Sequence, residues 1–293
     1  MTLITIKGIK IKINIFFIIL LAIYIYIGYF IDICIILFSL IIHEISHIVM
    51  AVKKGVKIDE ICLLPFGGFI KLKSFISENP KKEILTCIMG PLSNLIIAII
   101  FIIINECFVS VYMVEYIIRI NLFLFILNML PILPLDGGRI IRGILSYNIG
   151  IKLATKVIMI LTYIISSLTM VYGSLNILKN NEGIYIILLG VYIVIAARKE
   201  KDLAAFIFIK QILTKKEKIL KKGVMKAHFL VGLKSVTIKS ILDNFLPGKY
   251  HIIIVIDNSG TQLGTINEEE LIKGAMELGI YVTLEKLLIN KKK

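Results

Sequence analysis

Two histidines and a glutamate, in the order His43-Glu44-Ile45-Ser46-His47, have the types and spacing to hold a metal ion and activate water. Residues four apart lie on one face of a helix, so both imidazoles can bind one cation. Glu44 adjoins the first ligand, where its carboxylate can take a proton from water at the metal. Zinc lowers the pKa of such a water towards about 7 and polarises a carbonyl, supplying nucleophile and electrophile at one point. The same pattern arises by chance in soluble helices. Its setting argues against chance here, because residues 33–52 form an apolar run, where ionisable groups are costly and, by default, functional. Two of the chain's four histidines lie in it.

A catalytic zinc takes three protein ligands and leaves one position open. His228 and His251 fall in a charged C-terminal region and are poorly placed to supply the third. The better candidate is Asp136, within Asn128-Met129-Leu130-Pro131-Ile132-Leu133-Pro134-Leu135-Asp136-Gly137-Gly138-Arg139. Prolines unwind a helix end and paired glycines permit a tight turn, which would aim the carboxylate sideways at the metal. A helix stop with Asp136 capping the next segment is the plainer reading of the same residues; the incomplete zinc site favours ligation. Cys34, Cys62, Cys87 and Cys107 have no paired spacing and read as buried thiols.

The elements that must position these groups are membrane spans. The 293 residues are 58% apolar with a mean hydropathy of +0.91, whereas a soluble domain is nearer half apolar. Residues 13–29, 33–52, 84–104, 116–135, 153–172 and 183–197 are apolar runs, each close to the roughly 20 residues that cross a hydrocarbon core. Only helices satisfy their own backbone there, so six spans are expected. The first run lacks a small-x-small cleavage site and is read as a span, not a signal peptide. The net charge of +14 is uneven. Lys7, Lys10 and Lys12, then Lys53 to Lys82, Arg139, Arg142 and Lys152, and Arg198 to Lys201 flank one side, which puts both termini in the cytoplasm. These cations read as topological signals, and with no aromatic-basic platform a nucleic-acid partner is not expected.

Residues 55–75 hold Leu63-Leu64-Pro65-Phe66-Gly67-Gly68-Phe69-Ile70, too apolar for a solvated loop and too glycine-broken for a span. A re-entrant hairpin, buried against protein, would accommodate them. From Glu200 the chain turns charged, with helical spacing over Val236–Phe245, strands at His251–Ile256 and Gln262–Ile266 around a turn at Asp257-Asn258-Ser259-Gly260, and a helix over Glu268–Leu278.

Taken together, HExxH in one span and Asn-x-x-Pro-x-x-Pro-x-Asp-Gly-Gly about 90 residues later resemble the site-2 protease family of intramembrane zinc metalloproteases. Gly90-Pro91-Leu92-Ser93-Asn94 and the Pro65-Phe66-Gly67-Gly68 loop match further family features. The resemblance covers residues 1–200. It implies one catalytic Zn2+ bound by His43, His47 and Asp136, with Glu44 as the base and Asn128 holding substrate or the oxyanion. It also implies substrate contacts from Pro65, Phe66, Gly67, Gly68 and Pro134. The C-terminal part resembles a single CBS domain, and six spans followed by one such domain are similar to the stage IV sporulation protease FB type. That branch releases a mother-cell sigma factor from pro-sigma-K, which implies a protein substrate, membrane-embedded inhibitory partners and, in a spore former, the mother-cell membrane around the forespore. The expected fold is thus an all-α polytopic membrane protein with a re-entrant hairpin loop plus a small α/β CBS domain. Its expected boundaries are 1–199 for the protease domain, 200–222 for a linker and 223–293 for the CBS domain. ATP at the CBS domain stays open, because Asn267 and Glu270 stand where that family has threonine and a ribose-binding aspartate. Docking of substrate or homo-oligomerisation is the other use. A site-2 protease of another signalling or stress pathway, a CBS-regulated transporter and a lipid-cleaving zinc hydrolase are the alternatives.

Overall fold

The computed structural model describes residues 2–6, 9–13, 25–55, 58–64, 67–72, 80–107, 112–177 and 183–291. The chain divides into two compact units, Met1–Gly143 with Ile158–Glu200, and Ile144–Val157 with Lys201–Lys293.

In the first unit, β1 (Thr2–Ile6) and β2 (Ile9–Ile13) precede α1 (Phe30–Lys53), and β3 (Ile58–Leu64) and β4 (Gly67–Leu72) follow it. Then come α2 (Pro80–Cys107), α3 (Tyr112–Met129), α4 (Asp136–Ile177) and α5 (Gly183–Lys222). Among the described residues, α1 to α4 are the four helices long and apolar enough to cross a membrane; they contain the second, third and fifth expected spans, while the fourth, 116–135, is helical only to Met129. The first expected span, 13–29, lies mostly outside the described residues, and 183–197 is helical at the start of α5. Polar side chains tie the helices together: Asn121 Nδ2 donates to Ser39 Oγ at 2.9 Å, joining α3 to α1, and Ser166 Oγ donates to the Gly190 carbonyl at 2.6 Å, joining α4 to α5. Interhelical hydrogen bonds of this kind replace the hydrophobic drive that lipid cannot supply.

The expectation of an all-α first unit needs correction. It contains a four-stranded sheet in the order β1-β2-β3-β4. The strands β3 and β4 pair antiparallel, Leu63 opposite Gly68 and Leu64 opposite Gly67, so the 55–75 loop contains a hairpin. β2 runs parallel to β3, with Lys10 opposite Glu60. The signal was the strict alternation Ile9-Lys10-Ile11-Lys12-Ile13, which has the period of a strand; reading its lysines only as topological charges hid it.

In the second unit β5 (Ala227–Leu233), α6 (Ile238–Asp243), β6 (Tyr250–Ile256), β7 (Gln262–Asn267), α7 (Glu268–Leu278) and α8 (Leu284–Lys291) follow the C-terminal half of α5. The sheet order is β5-β6-β7, β5 parallel and β7 antiparallel to β6. Every second residue of β6 is buried, and Ile253 and Val255 pack with Ile238, Ile266, Leu271 and Leu284 in one apolar core. Residues 200–222 are helical, and Lys215 among them is buried, its Nζ 2.8 Å from Glu268 Oε1. His251 is stacked on Phe245 with ring centroids 4.0 Å apart. Its Nε2 accepts from the Leu246 N–H at 2.9 Å, which leaves the proton on Nδ1 to be donated to Glu268 Oε2 at 3.1 Å.

Burial is the largest influence on His251 and, helped by the neighbouring Lys215 and His228, holds its pKa below the ordinary histidine value against the pull of Glu268. The unfolded chain therefore takes up this proton at a higher pH than the folded one. The stability that His251 contributes is full above about pH 6.5 and is lost as pH falls from there through the depressed folded value. Glu268 is also held below its ordinary value, so its own loss begins only at lower pH. Amide hydrogen exchange along β6, corrected for intrinsic rates, is expected to speed up between pH 7.5 and 5.5, and His251→Gln is expected to remove most of that dependence.

Candidate metal centre

Ser39, His43, His47 and Ala51 are buried at four-residue intervals along α1, while Phe38, Ile41, Ile45, Val49 and Val52 are exposed. Such a helix turns its polar stripe to protein and its apolar stripe outward, the reverse of a soluble helix and the arrangement lipid demands. The face of α2 buries Thr86, Gly90, Asn94 and Ala98. A Cβ at position 90 would lie 2.3 Å from His47 Nε2 and 2.7 Å from His43 Nε2, so only glycine leaves room for the two imidazoles.

His47 Nδ1 is 2.8 Å from the Thr86 carbonyl and donates to it, which frees Nε2 as an acceptor. The Nε2 atoms of His43 and His47 are 3.1 Å apart. Asp136 Oδ2 lies 3.2 Å from the first and 3.1 Å from the second. All three residues are buried, and among the described residues they are the one cluster of metal-ligating side chains of this kind. Tetrahedral zinc with bonds of about 2.0–2.1 Å sets its ligand atoms about 3.3 Å apart, so the triangle fits the ion. Lone-pair donors converging on one point in a buried site also call for a cation, which supports the same fit.

The chain between α3 and α4 delivers the carboxylate. Asp136 is the first residue of α4, so a helix start and a candidate ligand share one position. The Leu133 N–H donates to Thr162 Oγ1 at 3.0 Å, anchoring the proline segment on α4. A Cβ on Gly137 would lie 2.4 Å from the Met129 and Leu130 carbonyl oxygens, and one on Gly138 2.4 Å from that of Ile132, so the glycine pair lets α4 start against this backbone.

Glu44 is half-buried beside His43, within electrostatic reach of both imidazoles and Asp136. Asn128 Nδ2 donates to the Leu124 carbonyl at 3.0 Å, one turn back on α3. Pro134 lies in the anchored segment, Gly67 and Gly68 lie on β4, and Pro65 and Phe66 lie outside the described residues. Sequence reasoning missed Thr86 as the acceptor that orients His47, and Gly90 as its spacer. It also missed a buried ion cluster next to Asp136, in which Arg142 bonds Glu83 and Glu200 while Arg139 bonds Glu200. Charges at the ends of apolar runs were its only trace.

Comparison with known proteins bears on the same residues. The model of peptidase family M50 matches residues 31–114 and 106–172. A zinc metalloprotease of Methanocaldococcus jannaschii is 29% identical over 254 residues, 84% of this chain and 71% of that protein. Stage IV sporulation protein FB of Bacillus subtilis is 33% identical over 108 residues, 36% of this chain and 37% of that protein. The solved structure of a site-2 protease from Methanocaldococcus jannaschii gives a TM-score of 0.54 at 29% identity, covering 69% of this chain and 94% of that one.

Gly90→Ala should lower zinc affinity by at least about tenfold, the lower end of what outer-shell changes cost, because the new Cβ displaces both imidazoles. Zinc per chain, measured by mass spectrometry after chelator challenge, should fall while helix content by circular dichroism is unchanged.

Proposed function

We propose that this chain, a zinc metalloendopeptidase whose residues 31–172 match peptidase family M50, works within a membrane, that His43, His47 and Asp136 hold its zinc and that Glu44 is its general acid and base. The observation that carries the assignment is the convergence of two imidazole nitrogens and one carboxylate oxygen within 3.2 Å. Bound there, zinc supplies an acidified water and a polarised scissile carbonyl. Glu44 takes the proton of the attacking water and returns it to the leaving amine. Asn128 steadies the oxyanion once its amide swings from Leu124, and Pro134 borders the substrate.

A peptide bond must leave its helix before it can be attacked, since a helical carbonyl is hydrogen-bonded and shielded. β4 is an edge of the four-stranded sheet, and an edge strand presents unpaired N–H and C=O groups to an extended chain. We propose that the substrate adds there, along Gly67 and Gly68 and beside Pro65 and Phe66.

The substrate we favour is the pro-segment of a sporulation sigma factor of the pro-sigma-K kind, on the strength of the partial likeness to stage IV sporulation protein FB. The longer likeness to an archaeal zinc metalloprotease favours a second reading, a site-2 protease of another signalling pathway. The six apolar runs support six spans and the charge asymmetry supports cytoplasmic termini; in a spore former the site of action is the mother-cell membrane around the forespore, under membrane-embedded inhibitors. Residues 223–293 fit a single CBS domain after a linker at 200–222. Within it Asn267 and Glu270 cap each other across the start of α7, and Lys291 Nζ sits 2.8 Å from Glu270. With its carboxylate so engaged, substrate docking or pairing with a second copy is the stronger use of the domain than ATP.

Co-expressed with pro-sigma-K, the wild type should convert it to a faster-migrating band, while Glu44→Gln should keep its zinc and cut nothing. Cleavage at the wild-type rate by that variant would remove the assignment, and an active wild type that spares pro-sigma-K but cuts another membrane protein would favour the second reading. Ile70→Pro, which takes one donor from β4, is expected to raise KM several-fold with zinc content unchanged; an unaltered KM counts against strand addition.

A further inference from the structure

The aim of Asp136 has no support of its own. Among the described residues its carboxylate bonds only to the two imidazoles. The direction of that side chain therefore depends on where the first turns of α4 are held. Those turns carry Arg139 and Arg142, three and six residues on. Arg142 donates Nη2 to Glu83 Oε1, and Nη1 to Glu200 Oε2 at 3.2 Å. Arg139 donates Nη2 to Glu200 Oε1. Glu83, Arg142 and Glu200 are all buried.

The cluster joins three helices. Glu83 lies one turn before Thr86 on α2, the residue that orients His47. Glu200 lies on α5, and its two oxygens are divided between the two guanidiniums. The four charges sum to zero, so the group is balanced as long as each member is present; removing one strands the others in a medium that cannot solvate them. Arg139 also lies within electrostatic reach of Asp136, so removing Glu200 strengthens the pull of its guanidinium on the carboxylate that the metal needs.

We infer that Glu200 is a positioning residue of the zinc site, holding the first turn of α4 through Arg139 and Arg142 so that Asp136 meets His43 and His47. The inference rests on Asp136 being a ligand. It assigns to α5 a part in the metal centre that no residue of HExxH or of the aspartate segment would reveal.

The test is zinc affinity of the full-length protein in detergent, by competition with a chromogenic chelator, alongside thermal unfolding. Glu200→Gln should weaken zinc binding about tenfold, within the range for residues that orient ligands, with kcat reduced and KM unchanged. Because the effect passes through Arg139, the double variant with Arg139→Gln should bind zinc no more weakly than the weaker single variant. Glu200→Asp, which keeps the charge and shortens the reach, should fall between wild type and Gln, and it decides the matter if Glu200→Gln does not fold. Wild-type zinc affinity in folded Glu200 variants, or additive losses in the double variant, would overturn the inference. Asp136→Ala is the control: if it binds zinc like the wild type, the ligand assignment fails and not the coupling alone.

Discussion

An ionisable group in hydrocarbon must be satisfied by protein, and this requirement governs the rest of the structure. His43, His47 and Asp136 are buried with their lone pairs on one point, and a metal there offsets a desolvation that otherwise costs several kcal/mol per group. The helix α1 meets the demand by gathering its polar residues into a stripe of four-residue period facing protein. α2 meets it with a glycine where the imidazoles need room and a carbonyl where His47 needs an acceptor. The same logic extends to Arg139, Arg142, Glu83 and Glu200, which neutralise one another at the start of α4.

The proposed third ligand, Asp136, is the harder problem, because it comes from a different part of the chain. A carboxylate at the first residue of a helix needs the preceding segment to arrive at the right height. The proline-rich segment does this by hanging its Leu133 amide on Thr162 and by fitting Gly137 and Gly138 against the end of α3. Backbone contacts of this closeness admit no Cβ, so the glycine pair is a packing requirement as much as a turn.

Much of this was legible in residue types. HEISH and its apolar setting pointed to a metal, the missing third ligand pointed to Asp136, and the family resemblance followed from the two motifs together. In the second unit the strands read at His251–Ile256 and Gln262–Ile266 around the turn at Asp257 fall within one residue of the ends of β6 and β7. Other features were not legible, for physical reasons. The strand β2 carries lysines at alternate positions, and their charge was given precedence over their period. Thr86 acts through a backbone carbonyl, which leaves no mark in a sequence. Glu200 and Glu83 stand near the ends of apolar runs in the chain, and only the packing of three helices brings them to two arginines. Asn267 and Glu270, read as departures from a nucleotide motif, turned out to be a capping box.

The central claim is that zinc is held by two imidazoles and one carboxylate. Its natural rival within the same packing is a thiolate, because Cys87 is fully buried on α2 and within electrostatic reach of Asp136. Zinc-edge X-ray absorption on the purified protein separates the two most directly. The account predicts a first shell of nitrogen and oxygen only, at about 2.0–2.1 Å with imidazole outer-shell scattering. A sulfur shell at about 2.3 Å, or a spectrum without imidazole features, would contradict it.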